Sequence, residues 1–230
     1  LKGFPMVQYK APVKDIKFLM NDVYNFQEHY QTIPGGDEAT PEMVDMILEA
    51  AASFSEDVIA PLYQSGDDGC TFDNGEVTTP KGFKEAYQQY VEGGWQSMAT
   101  PVEYGGQGLP MSLALAKSEM IGTANWSWGM YPGLSLGAMN TIWMHGTEEQ
   151  KQEFFVPLSD GRWMGTMCLT EPQCGTDLGQ VKTKAEPNGD GSFNITGTKI
   201  FISSGEHDLT ENIVHIVLAR LPGAPEGTRG

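Results

Sequence analysis

The feature that most constrains this chain is a change of hydrophobic period near residue 161. Before it, apolar residues recur three and four apart, the spacing that lays one stripe along a helix. After it, β-branched and aromatic residues alternate with polar ones, as in a strand with one buried face. A chain that runs helical and then alternating folds as α+β, with helices and strands segregated rather than interleaved. The expected division is an N-terminal helical domain over 1–161 and an antiparallel, β-barrel-like domain over 162–230.

The helical part carries its own punctuation. In "PVKDIKFLMNDVYNF", Ile16, Leu19, Met20, Val23 and Phe26 form one stripe. "TPEMVDMILEAAASF" opens with Thr40 as N-cap and Pro41 at the first helical position, and Met43, Met46, Ile47, Ala50 and Phe54 make its expected face. "TPKGFKEAYQQYVEGG" repeats the device, with Thr79 as cap, a face of Phe83, Ala86, Tyr87, Tyr90 and Val91, and Gly93-Gly94 as the stop. From Met111 to Trp143 the chain is apolar or small almost throughout, which predicts one or two helices buried on most sides. Thr147 to Gln150 is a T-x-x-Q capping box.

Past Gly161, the run from Trp163 to Leu169, then "VKTKAEP", "GSFNITGTKIFISSG" and "NIVHIVLAR" read as strands, with "NGDG" as a turn between the second and third. The turn-rich ending "PGAPEGTRG" predicts that this is a piece of a longer protein, with the β part cut short.

Charge narrows the function. Thirty acidic against fourteen basic residues leave a formal net charge of −16. Nucleic-acid backbones and anionic membranes demand clustered Lys and Arg, so neither is an expected partner. No apolar run approaches the roughly 18 residues of a membrane span. The expected setting is the cytoplasm of a bacterium, or the mitochondrial matrix in a eukaryote. Three cysteines, Cys70, Cys168 and Cys174, are too few for a disulfide framework. Cys168 and Cys174 lack zinc-knuckle company and C-x-x-C spacing, so no metal site is expected.

No Rossmann, P-loop, G-x-S-x-G or H-E-x-x-H pattern is present. "TPVEYGGQG" reads as a tight interhelical loop, and His215 as a structural residue within a strand. The stretch that carries chemistry is "CLTEPQCGTDLG", where a short apolar strand feeds a loop with the hydroxyls of Thr170 and Thr176. Free N–H and O–H groups there can meet the polar edge of a ring or a phosphate oxygen. Further on, "KIFISSG" sets Phe201 beside Ser203 and Ser204. A flat aromatic next to hydroxyls suits a flat heteroaromatic cofactor, though by spacing alone both stretches also read as plain β-turns.

"MCLTEPQCGTDLG" resembles the first signature of the acyl-CoA dehydrogenase family, and "GTKIFISSG" its second flavin strand. "TPVEYGGQGLP" and "HGTEEQKQEFFVPLSDGRW" are similar to two further family blocks, in family order, over about residues 95 to 230. The start, "YKAPVKDIKFLMNDVYNF", looks like the extended N-terminus of a longer bacterial subgroup that includes enzymes for 3-methylmercaptopropionyl-CoA and broad fatty acyl-CoA substrates. The resemblance implies FAD-dependent α,β-dehydrogenation of an acyl-CoA thioester, with electrons passing to an electron-transfer flavoprotein. It implies a C-terminal helical bundle beyond this chain and assembly as a homodimer or tetramer.

Carried over by position, Met167, Cys168, Leu169, Thr170, Gly175 and Thr176 would contact FAD, and Thr176 would also touch the CoA portion of substrate. Phe201 stands where the family has tryptophan beside the ring; Ile202 follows, and Ser203 replaces a threonine. Cys174 and Gln180 also depart from the usual small residues. The catalytic base is expected as a glutamate beyond Gly230, which leaves no catalytic residue here and makes Glu171 structural. "NWSWGMYPGLSLG" either lines the acyl-chain pocket or simply packs tightly around Met130, Tyr131 and Leu134. The alternatives to a dehydrogenase are an acyl-CoA oxidase and a non-catalytic binding module of the same fold.

Overall fold

A computed structural model of the chain describes residues 8–229. The helical part runs through α1 (Val13–Lys17), α2 (Phe26–Tyr30), α3 (Pro41–Phe54) and α4 (Tyr63–Asp68). After a hairpin of β1 (Thr71–Asp73) and β2 (Glu76–Thr78) come α5 (Phe83–Glu92), α6 (Met111–Ala124), α7 (Trp126–His145), α8 (Glu148–Gln150) and α9 (Val156–Ser159). The strands β3 (Trp163–Cys168), β4 (Lys184–Pro187), β5 (Phe193–Thr196) and β6 (Asn212–Val217) follow. The order is helical, then stranded, as the change of period predicts.

Caps set several boundaries. Thr40 Oγ1 accepts from Met43 N–H at 3.3 Å, with Pro41 leading α3. Thr147 and Gln150 close their capping box reciprocally. The apolar stretch resolves into two helices because Asn125 leaves helical geometry, and its side chain accepts from Trp128 N–H at 3.3 Å.

Three details differ from the sequence reading. Past α1 the helix loosens into a π-helical turn, Phe18–Val23, which breaks the stripe, so Ile16 and Met20 are buried while Leu19 and Val23 stay exposed. In α3 the buried face is Val44, Leu48, Ala51 and Ala52, not the stripe through Met43 and Met46. Both stripes satisfy the period, and the one that meets α6 wins. Thr79 does not cap α5, whose N-cap is Gly82; its hydroxyl and N–H instead donate to Asp208 Oδ1 at 2.6 and 3.0 Å. The expected face of α5 holds, with Phe83, Ala86, Tyr87 and Tyr90 buried.

Strand pairing departs further. β4 and β5 are antiparallel around the "NGDG" turn, but β3 and β6 pair in parallel, with Thr166 opposite His215. An alternating pattern says which face is buried and nothing about a partner's direction; the long connection between β3 and β6 permits the parallel crossover. No barrel closes among the described residues, where each sheet has two strands. Thr166 Oγ1 and His215 Nδ1 lie 2.6 Å apart, a structural use of that histidine.

The core joins the two parts. Trp128 is fully buried, with its indole N–H donating to Phe83 C=O at 3.2 Å. β3 lies flat against α7, and Gly165 permits that approach, since a Cβ there would stand 2.5 Å from Ala138 Cβ. Among the described residues no helix is long and apolar enough to cross a membrane.

Candidate functional site

β3 ends at Cys168 and delivers the chain into a tight loop. Glu171 and Cys174 exchange backbone hydrogen bonds at 2.9 and 3.0 Å, so Pro172 and Gln173 form the tip of a miniature hairpin. The segment that follows β5 then returns to this loop. Ile200 N–H donates to Thr170 C=O at 3.0 Å, and Lys199 Nζ donates to Leu169 C=O at 3.0 Å. Gly197 makes the return possible, because a Cβ there would lie 2.2 Å from Thr183 Oγ1.

Glu171 ties these pieces together. It is 3% exposed, and its carboxylate accepts from Lys199 Nζ at 2.8 Å, Lys182 N–H at 2.8 Å and Thr183 N–H at 3.0 Å. Burial by itself would raise its pKa, but Lys199 and the N–H donors outweigh burial and hold the carboxyl well below the usual range. A carboxylate held ionised by that many donors organises a loop; it is poorly suited to accept a proton at neutral pH.

The expected cofactor residues fall into three sets. Met167, Cys168, Leu169 and Thr170 lie on β3 and its exit, and their segment is hydrogen-bonded to Lys199–Ile200. Gly175 and Thr176 are exposed beyond the miniature hairpin, with no hydrogen bond to Phe201, Ile202 or Ser203 among the described residues. Phe201 to Ser203 do not continue a strand, contrary to the alternating pattern. Phe201 and Ser204 have φ of +55° and +57°, a left-handed backbone that no ladder accommodates.

That conformation costs on the order of 1 kcal/mol or more per residue, and Phe201 is 88% exposed. The hydroxyls of Thr170, Thr176 and Ser203, and the N–H groups of Thr170, Gly175 and Thr176, make no hydrogen bond among the described residues. Ser204 Oγ is buried without a partner. An uncovered aromatic face beside unused donors matches a flat ring with polar atoms along its edge, so the residues present fit a flavin.

The segment is also anchored to the helices. His207 packs edge-on against Tyr131, with ring centroids 5.6 Å apart, and burial lowers its pKa. Asp208 holds Thr79 as described; burial would raise its pKa, and the Thr79 donors more than reverse that. A second concavity, a cavity of about 450 Å³, opens between α5, α6 and α7. From "NWSWGMYPGLSLG", Trp126, Gly129, Pro132, Gly133 and Leu136 line it, while Trp128, Tyr131 and Ser135 are buried in packing. One face of this helix therefore lines a cavity while another packs into the core.

Two functional features escaped the sequence reading. One is the Lys199–Glu171 pair, whose members lie far apart in sequence. The other is Lys117, the one basic residue between Met111 and Trp143; that interruption of an apolar run was the available signal.

The family described as acyl-CoA dehydrogenase, N-terminal domain, matches residues 41–162, more than half of the chain. The chain belongs to the acyl-CoA dehydrogenase family. This acyl-CoA dehydrogenase segment is 44% identical, over 96% of its length, to the 3-methylmercaptopropionyl-CoA dehydrogenase of Ruegeria pomeroyi, and spans 38% of that protein. It superposes on butyryl-CoA dehydrogenase from Megasphaera elsdenii with a TM-score of 0.64 at 26% identity, over 80% of this chain and 46% of that one. An acyl-CoA dehydrogenase from Bacillus anthracis complexed with FAD gives a TM-score of 0.65 at 26% identity, over 81% of this chain and 30% of that one. The chain thus spans under half the length of these relatives.

Proposed function

We propose that this chain is the N-terminal portion of an FAD-dependent dehydrogenase that oxidises an acyl-CoA thioester across its α,β bond to the 2-enoyl-CoA. The observation that supports the reading is the hydrogen bond from Ile200 N–H to Thr170 C=O at 3.0 Å, which joins the two stretches that resemble the family's flavin signatures. The FAD complex of the Bacillus anthracis relative supports the choice of cofactor. FAD, when bound, supplies the two-electron acceptor chemistry that this reaction needs.

The chain's own residues bind and orient. The Thr170 hydroxyl and the unused N–H groups of Thr170, Gly175 and Thr176 would hold the cofactor's polar atoms. Phe201, Ile202 and the Ser203 hydroxyl would complete the group of residues that holds it. Donors already in place before negative charge develops on a ring stabilise that charge without reorganising. Thr176 also contacts the CoA portion of substrate, and the cavity between α5, α6 and α7 takes the acyl chain and excludes water from it. Glu171 keeps the loop in shape and leaves base catalysis to a glutamate beyond residue 230.

In this reading 1–161 is the helical domain and 162–230 the start of the β domain. The whole protein is a homodimer or tetramer in a bacterial cytoplasm, and it passes electrons to an electron-transfer flavoprotein. The full-length protein should purify yellow, and an acyl-CoA added without oxygen should bleach its flavin absorbance. A colourless full-length protein that takes up no added FAD would refute the proposal, and turnover with oxygen alone would favour an oxidase.

A further inference from the structure

The cavity between α5, α6 and α7 is walled mostly by apolar and aromatic side chains, among them Trp95, Met111, Trp126, Pro132, Leu136 and Met139. Lys117 and Tyr90 stand in the same wall. Lys117 is 6% exposed, and its Nζ donates to Tyr90 Oη at 2.8 Å, lying 4.9 Å from the centroid of that ring. Among the described residues no carboxylate pairs with it, and its other two N–H donors have no partner. Tyr90 is itself buried, which raises its phenol pKa and keeps the hydroxyl neutral, so the tyrosine supplies no counter-charge.

An ammonium in apolar surroundings is costly unless it is paired and hydrogen-bonded. A cavity built only to wrap a hydrocarbon chain would place leucine or methionine at this position, as its neighbours do. Two unused donors on a fixed cation call for an acceptor that carries negative charge. No acid of the described residues is in reach, and a ligand entering the cavity can supply that charge.

We infer that Lys117, positioned by Tyr90, determines specificity by receiving a carboxylate at the far end of the acyl chain, so that the substrates include ω-carboxyacyl thioesters. The inference rests on the cavity being the acyl site proposed above. A cavity of about 450 Å³ lies in the range of small-ligand sites.

The test compares adipoyl-CoA with hexanoyl-CoA, of equal chain length, as substrates of the full-length FAD-loaded protein. The readout is the ratio of their kcat/KM values in wild type and in Lys117→Met. A charged hydrogen bond removed from a buried site corresponds to about a 10- to 100-fold change. The ratio should therefore fall by about that factor in Lys117→Met, and in part in Tyr90→Phe, where the ammonium loses its tether. Lys117→Gln, which keeps a donor, supplies the measurement if the methionine variant does not fold. A ratio within about twofold of wild type in these variants, with both esters still oxidised, overturns the inference and leaves the dehydrogenase reading standing. Failure of both esters, and of other acyl-CoAs, to bleach the wild-type flavin overturns that reading and the inference with it.

Discussion

Replacing Lys117 with methionine should stabilise the protein at neutral pH. Burial lowers the pKa of the Lys117 ammonium from 10.5 to about 8. Each tenfold change in proton affinity is about 1.4 kcal/mol, so holding this side chain charged in the folded state costs ~3 kcal/mol. Methionine fills the same volume and carries no charge. It loses the hydrogen bond to Tyr90, worth ~1 kcal/mol, while Tyr90 keeps its contact with Trp95 C=O at 3.4 Å. The net gain is ~2 kcal/mol, or roughly 4–8 °C in Tm for a domain of this size.

The sign of the pH dependence follows from the lowered folded pKa. Between about pH 8 and 10.5 the unfolded chain binds more protons than the folded one, so the wild type gains stability as pH rises. The variant has no such group, and its advantage should shrink from about pH 7 to about pH 10. Thermal unfolding of both full-length proteins, followed by circular dichroism at the two pH values, measures this. A lower Tm for Lys117→Met at neutral pH would refute the reasoning, because it would mean that a carboxylate from the rest of the protein pairs with the ammonium.

Glu171→Gln should destabilise by ~3 kcal/mol, since it removes a buried carboxylate and leaves the half-buried Lys199 cation without its counter-charge, and a lowered Tm checks it. Because Glu171 is held below its ordinary pKa of 4.5, its contribution is whole above that value and is lost as pH falls beneath it. Acid titration of stability should therefore be steeper below about pH 4.5 in wild type than in the glutamine variant. Gly165→Ala should cost ~1–3 kcal/mol by pushing β3 off α7, and Ala138→Gly in the same chain should restore part of it; additive losses in that double-mutant cycle would contradict the contact.

What the sequence disclosed and what it withheld divide along physical lines. Caps at Thr40 and Thr147 were legible because a side-chain oxygen bonding to N–H groups two or three residues on is a local event. The segregation of helices from strands was legible because period is local too. The phase of α3 was not: its residues offer two stripes of equal period, and only the arrival of α6 decides between them. Strand direction was hidden for the same reason, since alternation along β3 and β6 is blind to what lies beside it.

The candidate site shows the limit most clearly. Cys168 to Thr176 and Phe201 to Ser203 could be marked by residue type, but the contacts that join their segments are a main-chain bond from Ile200 to Thr170 and the Lys199 ammonium on Leu169 C=O and Glu171. Every residue carries a carbonyl, and Lys199 lies far from Glu171 in sequence, so local pattern does not encode their meeting. Glu171 illustrates the consequence: the family resemblance makes it structural, and its partners, which include residues 182, 183 and 199, show how it fastens the loop. Lys117 is the opposite case, because its isolation within an apolar run was visible in the sequence. The run was long enough to be read as core, and a charge inside a core becomes a functional question only once the cavity beside it is seen.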